Sequence, residues 1–426
     1  MYEQDCHILG LVDKKFVVEF VLNMQYDPEK SIKVDISNLT IGMFVTAIEN
    51  SERVNLANAG RVQSQKAITH LFESGVKFVW VDTGLSAKNC VIKPAPMVDN
   101  TESKVVMEPH PSTRRKQPNS RDSNQKKAKK LIAEAKGLAQ KLLNQTFEGK
   151  VILVDEIEDW AEDMIEAALV DSDALQCVSA LRQKDTYLLE HSVNVACLLV
   201  TFGKHLSLER ETLKQMAIGG IIHDIGKIKV NDEVLHKPAR LTPEEFEHMK
   251  LHQVFAEEII VHVEGLSDVS RDVCLMHHEK LDGKGYPKGL KGEEIPLHGC
   301  MSCIVDIYDA LTADRCYKQG MSSAEAFKII LSLTPFHLDP DLVYKFINCI
   351  GVYPVGSIVE LNDGRVGIVW TFNPTQPLKP EVKCFYSRKY KRFVDVAMVD
   401  LKHSSLKIEK AVAPSSLEVD AKPFYD

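Results

Sequence analysis

The sequence predicts a mainly α-helical protein, in which a helical bundle follows a small mixed α/β module and precedes a short β-rich tail. Three patterns carry this reading. From about Gln125 to Val352, apolar residues recur at helical spacing, and glycine and proline cluster only at joints such as Lys237-Pro238, Thr242-Pro243 and Asp282 to Pro296. Residues 31–96 mix short strand-like runs with one helical run, and after Pro354 the rhythm becomes that of strands. A chain of 426 residues is long enough for two or three domains and at least one large core.

In the first module (31–96), Val34-Asp35-Ile36 and Met43-Phe44-Val45 read as strands around a turn at Gly42. Ser64 to Ser74 reads as a helix through Ile68, Leu71 and Phe72, and Val76 to Val81 as a strand. No catalytic constellation stands out there, which points to a regulatory or packing role. Residues 97–127 read as a linker, rich in Asn, Ser, Pro and charge. The Arg114-Arg115-Lys116 cluster between Pro111 and Pro118 reads as a solvated run, not a nucleic-acid patch. The bundle (128–352) opens with a connecting helix, Lys127 to Leu143, and continues with Ile157 to Leu169 and Tyr187 to Leu206. In the tail (353–412), Ser357 to Leu361, an Asn362-Asp363-Gly364 turn and Val366 to Trp370 predict a hairpin, with further strands at Val382 to Tyr386 and Phe393 to Met398.

The composition is that of a globular protein, 44% hydrophobic and 26% charged. A net charge of −8 argues against a surface that coats nucleic acid, although metal ions or a few lysines still allow a small anionic ligand. No run of about 18 apolar residues predicts a membrane span. The apolar run Phe16 to Leu22 is interrupted by Glu19 and lacks the basic start of a signal peptide. Ten scattered cysteines suit reduced thiols, hence a cytoplasmic protein. Cys300 and Cys303 form a lone CxxC that reads as buried thiols, not as a zinc or redox pair.

The chemistry centres on His223-Asp224-Ile225-Gly226-Lys227, at the end of the apolar run Ile218 to Ile222. A bare His-Asp pair arises often by chance. Here it stands in a series: His191, His223-Asp224, His252, His277-His278 and Asp306, separated by gaps of 32, 29, 25 and 28 residues. Each gap fits one helix and its connection, so the residues can converge from different helices on one bundle core. Five imidazoles and two carboxylates match two divalent ions, with Asp224 able to bridge them. Nitrogen and oxygen donors without thiolate suit iron or manganese, and also zinc or nickel. Two metals about 3.5–4 Å apart bind a phosphate and provide a hydroxide nucleophile at neutral pH. A second signal is His277-His278-Glu279-Lys280-Leu281-Asp282-Gly283-Lys284-Gly285-Tyr286-Pro287, where glycines let backbone approach a ligand and Tyr286 can stack on a base. Glu279 is a candidate to orient a histidine from behind.

Together with His191-Ser192-Val193-Asn194-Val195-Ala196 and Asp306-Ile307-Tyr308-Asp309-Ala310-Leu311-Thr312-Ala313-Asp314-Arg315, these segments resemble the bacterial HD-GYP family of cyclic-dinucleotide phosphodiesterases, a branch of the HD phosphohydrolases. The resemblance is specific over about Tyr187 to Lys318, and weaker in the N-terminal module. It implies an all-helical HD-GYP bundle in which His191, His223, Asp224 and Asp306 hold one metal, and Asp224, His252, His277 and His278 the other. It also implies Lys227 near the scissile phosphate, and Arg315 and Lys318 as substrate-phosphate and base contacts. Two departures stand out. Some members carry a glutamate, which supports a third metal, where this chain has Tyr187, so two metals are expected; many have a glycine where this chain has Ala256.

The reaction so implied is hydrolysis of a 3′–5′ phosphodiester bond to a linear 5′-phosphorylated dinucleotide, with Asp224 and Lys227 as the catalytic candidates. Cyclic di-GMP and 3′,3′-cyclic GMP-AMP both remain open as substrate, and a GGDEF-type diguanylate cyclase or another signalling protein is the partner class. A non-catalytic dinucleotide receptor competes with this reading, but has no need of complete metal ligands. So does an HD nucleotidohydrolase acting on a nucleoside triphosphate or alarmone, against which the Gly-Tyr-Pro loop and the second histidine set argue.

Overall fold

The computed structural model describes residues 31–93 in part, 121–150, 152–180, 187–313, 320–417 and 419–425. The chain divides into two units, residues 8–116 and residues 117–426.

In the first unit, β1 (Ser31–Asp35), β2 (Phe44–Asn50), β3 (Arg53–Asn55), β4 (Gly60–Arg61) and β5 (Phe78–Asp82) form an antiparallel sheet in the order β1-β5-β2-β3, with β4 paired to β2. Alternation explains its core: Val34 sits opposite Val79, and both are fully buried with Val81 and Met43. Gly42 turns the chain at φ +98°, a conformation that disfavours any side chain. The expected helix at 64–74 falls mostly outside the described residues, as do the run at 16–22 and the basic cluster at 114–116.

The second unit opens with α1 (Arg121–Phe147), packed on α2 (Asp155–Ser179). The buried face of α1 runs through Ala128, Leu131, Ile132, Ala135, Ala139 and Leu142, a 3–4 spacing that matches one helical stripe. This helix starts within the segment read as linker, and distant partners explain why. The Arg121 guanidinium pairs with Asp171 and donates to Trp370 O, while Gln125 Nε2 donates to Tyr425 O at 2.9 Å. Asp171 also interrupts α2, with φ −157° and ψ 83°, and its carboxylate accepts the Ala174 N–H, so it caps a fresh helical start.

The bundle continues with α3 (Tyr187–His205), α4 (Arg210–Ile222), a short α5 (Asp232–Leu235), α6 (Pro243–Lys250), α7 (His252–Ile260), α8 (Asp268–Met276), α9 (Leu297–Thr312), α10 (Ser323–Ser332) and α11 (Pro340–Ile350). Capping boxes at Thr242/Glu245 and Ser322/Glu325 fix the starts of α6 and α10. The helices that carry the site pack closely where glycine removes a side chain. A Cβ on Gly220 would lie 2.7 Å from Ala196 Cα, and one on Gly219 would lie 2.8 Å from Ser270 O. Among the described residues, no helix is long and apolar enough to cross a membrane.

Strands β6 (Ile358–Leu361), β7 (Arg365–Thr371), β8 (Glu381–Ser387), β9 (Arg392–Asp400) and β10 (Ile408–Val412) form an antiparallel sheet in the order β10-β6-β7-β8-β9. The hairpin turn has Gly364 at φ +86°, as the Asn-Asp-Gly sequence predicts. Packing continues past residue 412, the expected end of the tail: Tyr425 is buried, and its hydroxyl donates to Gly356 O at 2.7 Å.

Candidate metal centre

All seven candidate ligands meet in one buried cluster. His191 comes from α3, His223 closes α4, Asp224 precedes a tight turn at Ile225–Lys229, His252 begins α7, His277 closes α8 with His278 beside it, and Asp306 lies on α9. Three of the histidines share one device. His223 Nδ1 donates to Gly220 O (2.8 Å), His252 Nδ1 to Met249 O (2.7 Å) and His277 Nδ1 to Cys274 O (2.9 Å). Each acceptor is the carbonyl three residues earlier, so a helix end fixes the tautomer and turns the Nε2 lone pair inward.

Asp224 lies at the centre. Its Oδ2 is 3.5 Å from His191 Nε2, 3.4 Å from His223 Nε2 and 2.5 Å from Lys227 Nζ. Its Oδ1 faces His252 Nε2 (3.7 Å) and His277 Nε2 (3.8 Å), and is buried without a hydrogen-bond partner. One oxygen therefore serves each imidazole group. Three sets of ligand atoms lie within 4.8 Å of one another: His191, His223 and Asp306; His252, His277 and His278; and His223, Asp224 and His277. An orphaned buried carboxylate oxygen facing two imidazole lone pairs is what a cation would satisfy, and the donor set fits a divalent ion.

Electrostatics divides these groups. Burial pushes the pKa of His252 down to about 4 and that of His277 to about 3, so both are neutral near pH 7. Burial alone would raise Asp224, but the Lys227 ammonium and the neighbouring His223 and His191 outweigh it and hold the carboxyl well below its usual range. Burial likewise works against a charge on His191, yet hydrogen bonds to Asp306 and Asp309 raise it to about 9.

Asp309 had no assigned role in the sequence reading. Fully buried, it accepts His191 Nδ1 at 2.7 Å. The signal was available: Asp309 follows Asp306 by three residues on one helix, hence on the same face. A carboxylate behind a ligand imidazole fixes its tautomer and raises its basicity. Asp309→Asn is expected to lower metal affinity about tenfold or more, measured by equilibrium dialysis against Mn(II); unchanged affinity would assign Asp309 to packing alone.

Glu279, by contrast, does not stand behind a histidine. Its carboxylate accepts the backbone N–H groups of Lys288, Gly289 and Leu290 and so shapes the glycine-rich loop. That loop folds back tightly, since a Cβ on Gly285 would lie 2.4 Å from Glu279 Cα. Tyr286 stacks on His278 with centroids 4.7 Å apart and has Lys250 Nζ 5.7 Å from its ring centre. Arg315 and Lys318 lie outside the described residues, and so does the side chain of Tyr187. Ala256 is fully buried in the apolar cluster beside Gly226. Cys303 is a buried free thiol donating to Met276 O and Glu279 O; burial pushes its pKa well above the usual thiol value, and that of Cys300 to about 11.

Residues 174–342 match the HD domain, residues 31–157 a domain of unknown function (DUF3391), and residues 358–419 a KOW domain associated with HD domain. The chain is 32% identical over 375 residues to a cyclic di-GMP phosphodiesterase of Pseudomonas aeruginosa, covering 87% of this chain and 88% of that protein. The chain belongs to the HD-GYP family of HD-domain phosphodiesterases. A 3′3′-cGAMP-specific phosphodiesterase of Vibrio cholerae is 35% identical over 157 residues, which is 37% of this HD-GYP chain and 36% of that protein. A solved HDG"Y"P protein from Bdellovibrio bacteriovorus is 13% identical and aligns with a TM-score of 0.45 over 74% of this chain and 98% of its own.

Proposed function

We propose that this HD-GYP protein hydrolyses a 3′–5′ phosphodiester bond of a cyclic dinucleotide, cyclic di-GMP or 3′,3′-cyclic GMP-AMP, to a linear 5′-phosphorylated dinucleotide. The observation that carries the reading is Asp224, with one carboxylate oxygen toward His191 and His223 and the other toward His252 and His277. On this reading His191, His223, Asp224 and Asp306 hold one divalent ion, and Asp224, His252, His277 and His278 hold a second. The nitrogen and oxygen donors favour iron or manganese. Two such ions, when bound, supply Lewis acidity and lower the pKa of water.

The chain's own residues do the rest. Lys227 is held by Asp224 at the mouth of the cluster, where its ammonium is placed to meet a phosphate oxygen as negative charge grows. Tyr286 closes the His278 side and offers an aromatic surface for a base. With its described cysteines free, the protein is taken to work in the cytoplasm, alongside a GGDEF-type diguanylate cyclase or another signalling protein, with the module of residues 31–96 as its regulatory part.

The test is to incubate Mn(II)- or Fe(II)-loaded protein with cyclic di-GMP, cyclic GMP-AMP and a nucleoside triphosphate, and to separate the products. A linear 5′-phosphorylated dinucleotide is expected, no triphosphate turnover, and loss of all activity on chelation. Intact dinucleotides in the presence of fully metallated protein would leave a receptor; triphosphate turnover would leave a nucleotidohydrolase.

Arg315, three residues beyond the end of α9, is proposed as a planar, bidentate contact to the substrate. Arg315→Lys keeps the charge and loses the fork, so dinucleotide affinity is expected to fall about tenfold, since a charge-assisted hydrogen bond is worth about 1.5–3 kcal/mol. Unchanged affinity and single-turnover rate at full metal content would remove Arg315 from the site.

A further inference from the structure

Gln253 follows directly on His252 and is fully buried. Its amide nitrogen lies 3.0 Å from His252 Nε2 and 3.2 Å from His277 Nε2. Both rings already donate Nδ1–H to a backbone carbonyl, so each Nε2 presents a lone pair, and only a donor fits between them. A primary amide carries two N–H bonds, one for each ring. Its own oxygen, Oε1, is buried with no hydrogen-bond partner. The side chain thus satisfies two imidazoles while leaving its carbonyl unpaired, an unfavourable position for a buried acceptor.

A lone pair accepts either an N–H or a metal ion, never both. We propose that Gln253 is an internal competitor for the ion of the His252, His277 and His278 group. This inference rests on the two-metal reading of the site. When that position is empty, the Gln253 amide keeps the two histidines in register. When an ion arrives, it must take both lone pairs from the amide, and the side chain has to turn away. The affinity of this half of the centre is therefore held below what its three imidazoles and Asp224 would give by themselves. Occupancy of the second metal position then responds to metal supply over a range that Gln253 sets.

The test counts bound Mn(II) by electron paramagnetic resonance during titration of the full chain, as wild type and as Gln253→Met. Methionine keeps the volume and removes both donors, and circular dichroism checks the fold. Gln253→Ala is the second variant should methionine disturb packing. The weaker of two binding steps is expected to tighten about tenfold in the variant, with the stronger step unmoved. An unchanged weaker step overturns the proposal, and a weakened one overturns it by making Gln253 a ligand. Wild-type protein that binds fewer than two ions would overturn the two-metal reading itself, and this inference with it, which separates the two failures.

Discussion

Asp224→Ala is expected to reduce dinucleotide turnover about a thousandfold or more, with the helical bundle still folded. Each Asp224 oxygen faces a different pair of histidines, whereas Asp306 reaches one histidine on each side, His191 at 3.0 Å and His278 at 3.9 Å. Its removal also releases Lys227, whose ammonium is held 2.5 Å from Oδ2. The large apolar clusters of the bundle do not include Asp224, and the vacated space borders polar groups, so the fold has little reason to collapse. Turnover, metal per chain by elemental analysis and far-ultraviolet circular dichroism should be measured on one preparation. Activity within about tenfold of wild type at full metal content would remove Asp224 from the centre of the chemistry.

Gly226→Ala should act on stability as well as on the site. A Cβ at this position would lie 1.9 Å from His252 O and 2.5 Å from Ala256 N, both backbone atoms of α7. No rotamer change relieves a clash with backbone, so the Ile225–Lys229 turn must lift away from the helix. Overpacking of this kind costs about 3 kcal/mol. The thermal midpoint is expected to fall by about 5 °C or more. Because Asp224 directly precedes the turn and Lys227 lies within it, metal binding should weaken in the same variant. An unchanged midpoint and metal content would show that the turn yields freely, and that the close approach matters little.

The histidine series was legible in the sequence because helix-length gaps leave few ways to place seven such residues other than on a common core. The β7 hairpin was legible for an equally local reason, an Asn-Asp-Gly turn between alternating runs. The start of α1 was not. Asn119, Ser120 and Asp122 are residues that favour a helix start, but they sit in a run of Pro, Ser and charge that reads equally as linker, and the partners that hold Arg121, Asp171 and Trp370, lie 50 and 249 residues away. Glu279 was misread for a similar reason, since its partners are backbone amides with no sequence signature. Gln253 gave no signal at all: only the tautomers of two histidines from different helices give its amide a meaning.

The Gln125–Tyr425 hydrogen bond spans 300 residues. With Tyr425 buried, the opening helix of the larger unit is completed by a residue that follows the last described strand. Closing so long a loop carries an entropic cost that is recovered only once both ends are in place, so this contact belongs to the end of folding, not its nucleus. During synthesis, this flank of α1 stays open until Tyr425 has emerged from the ribosome. Removing residues 413–425 is therefore more damaging to folding than their distance from the metal cluster suggests.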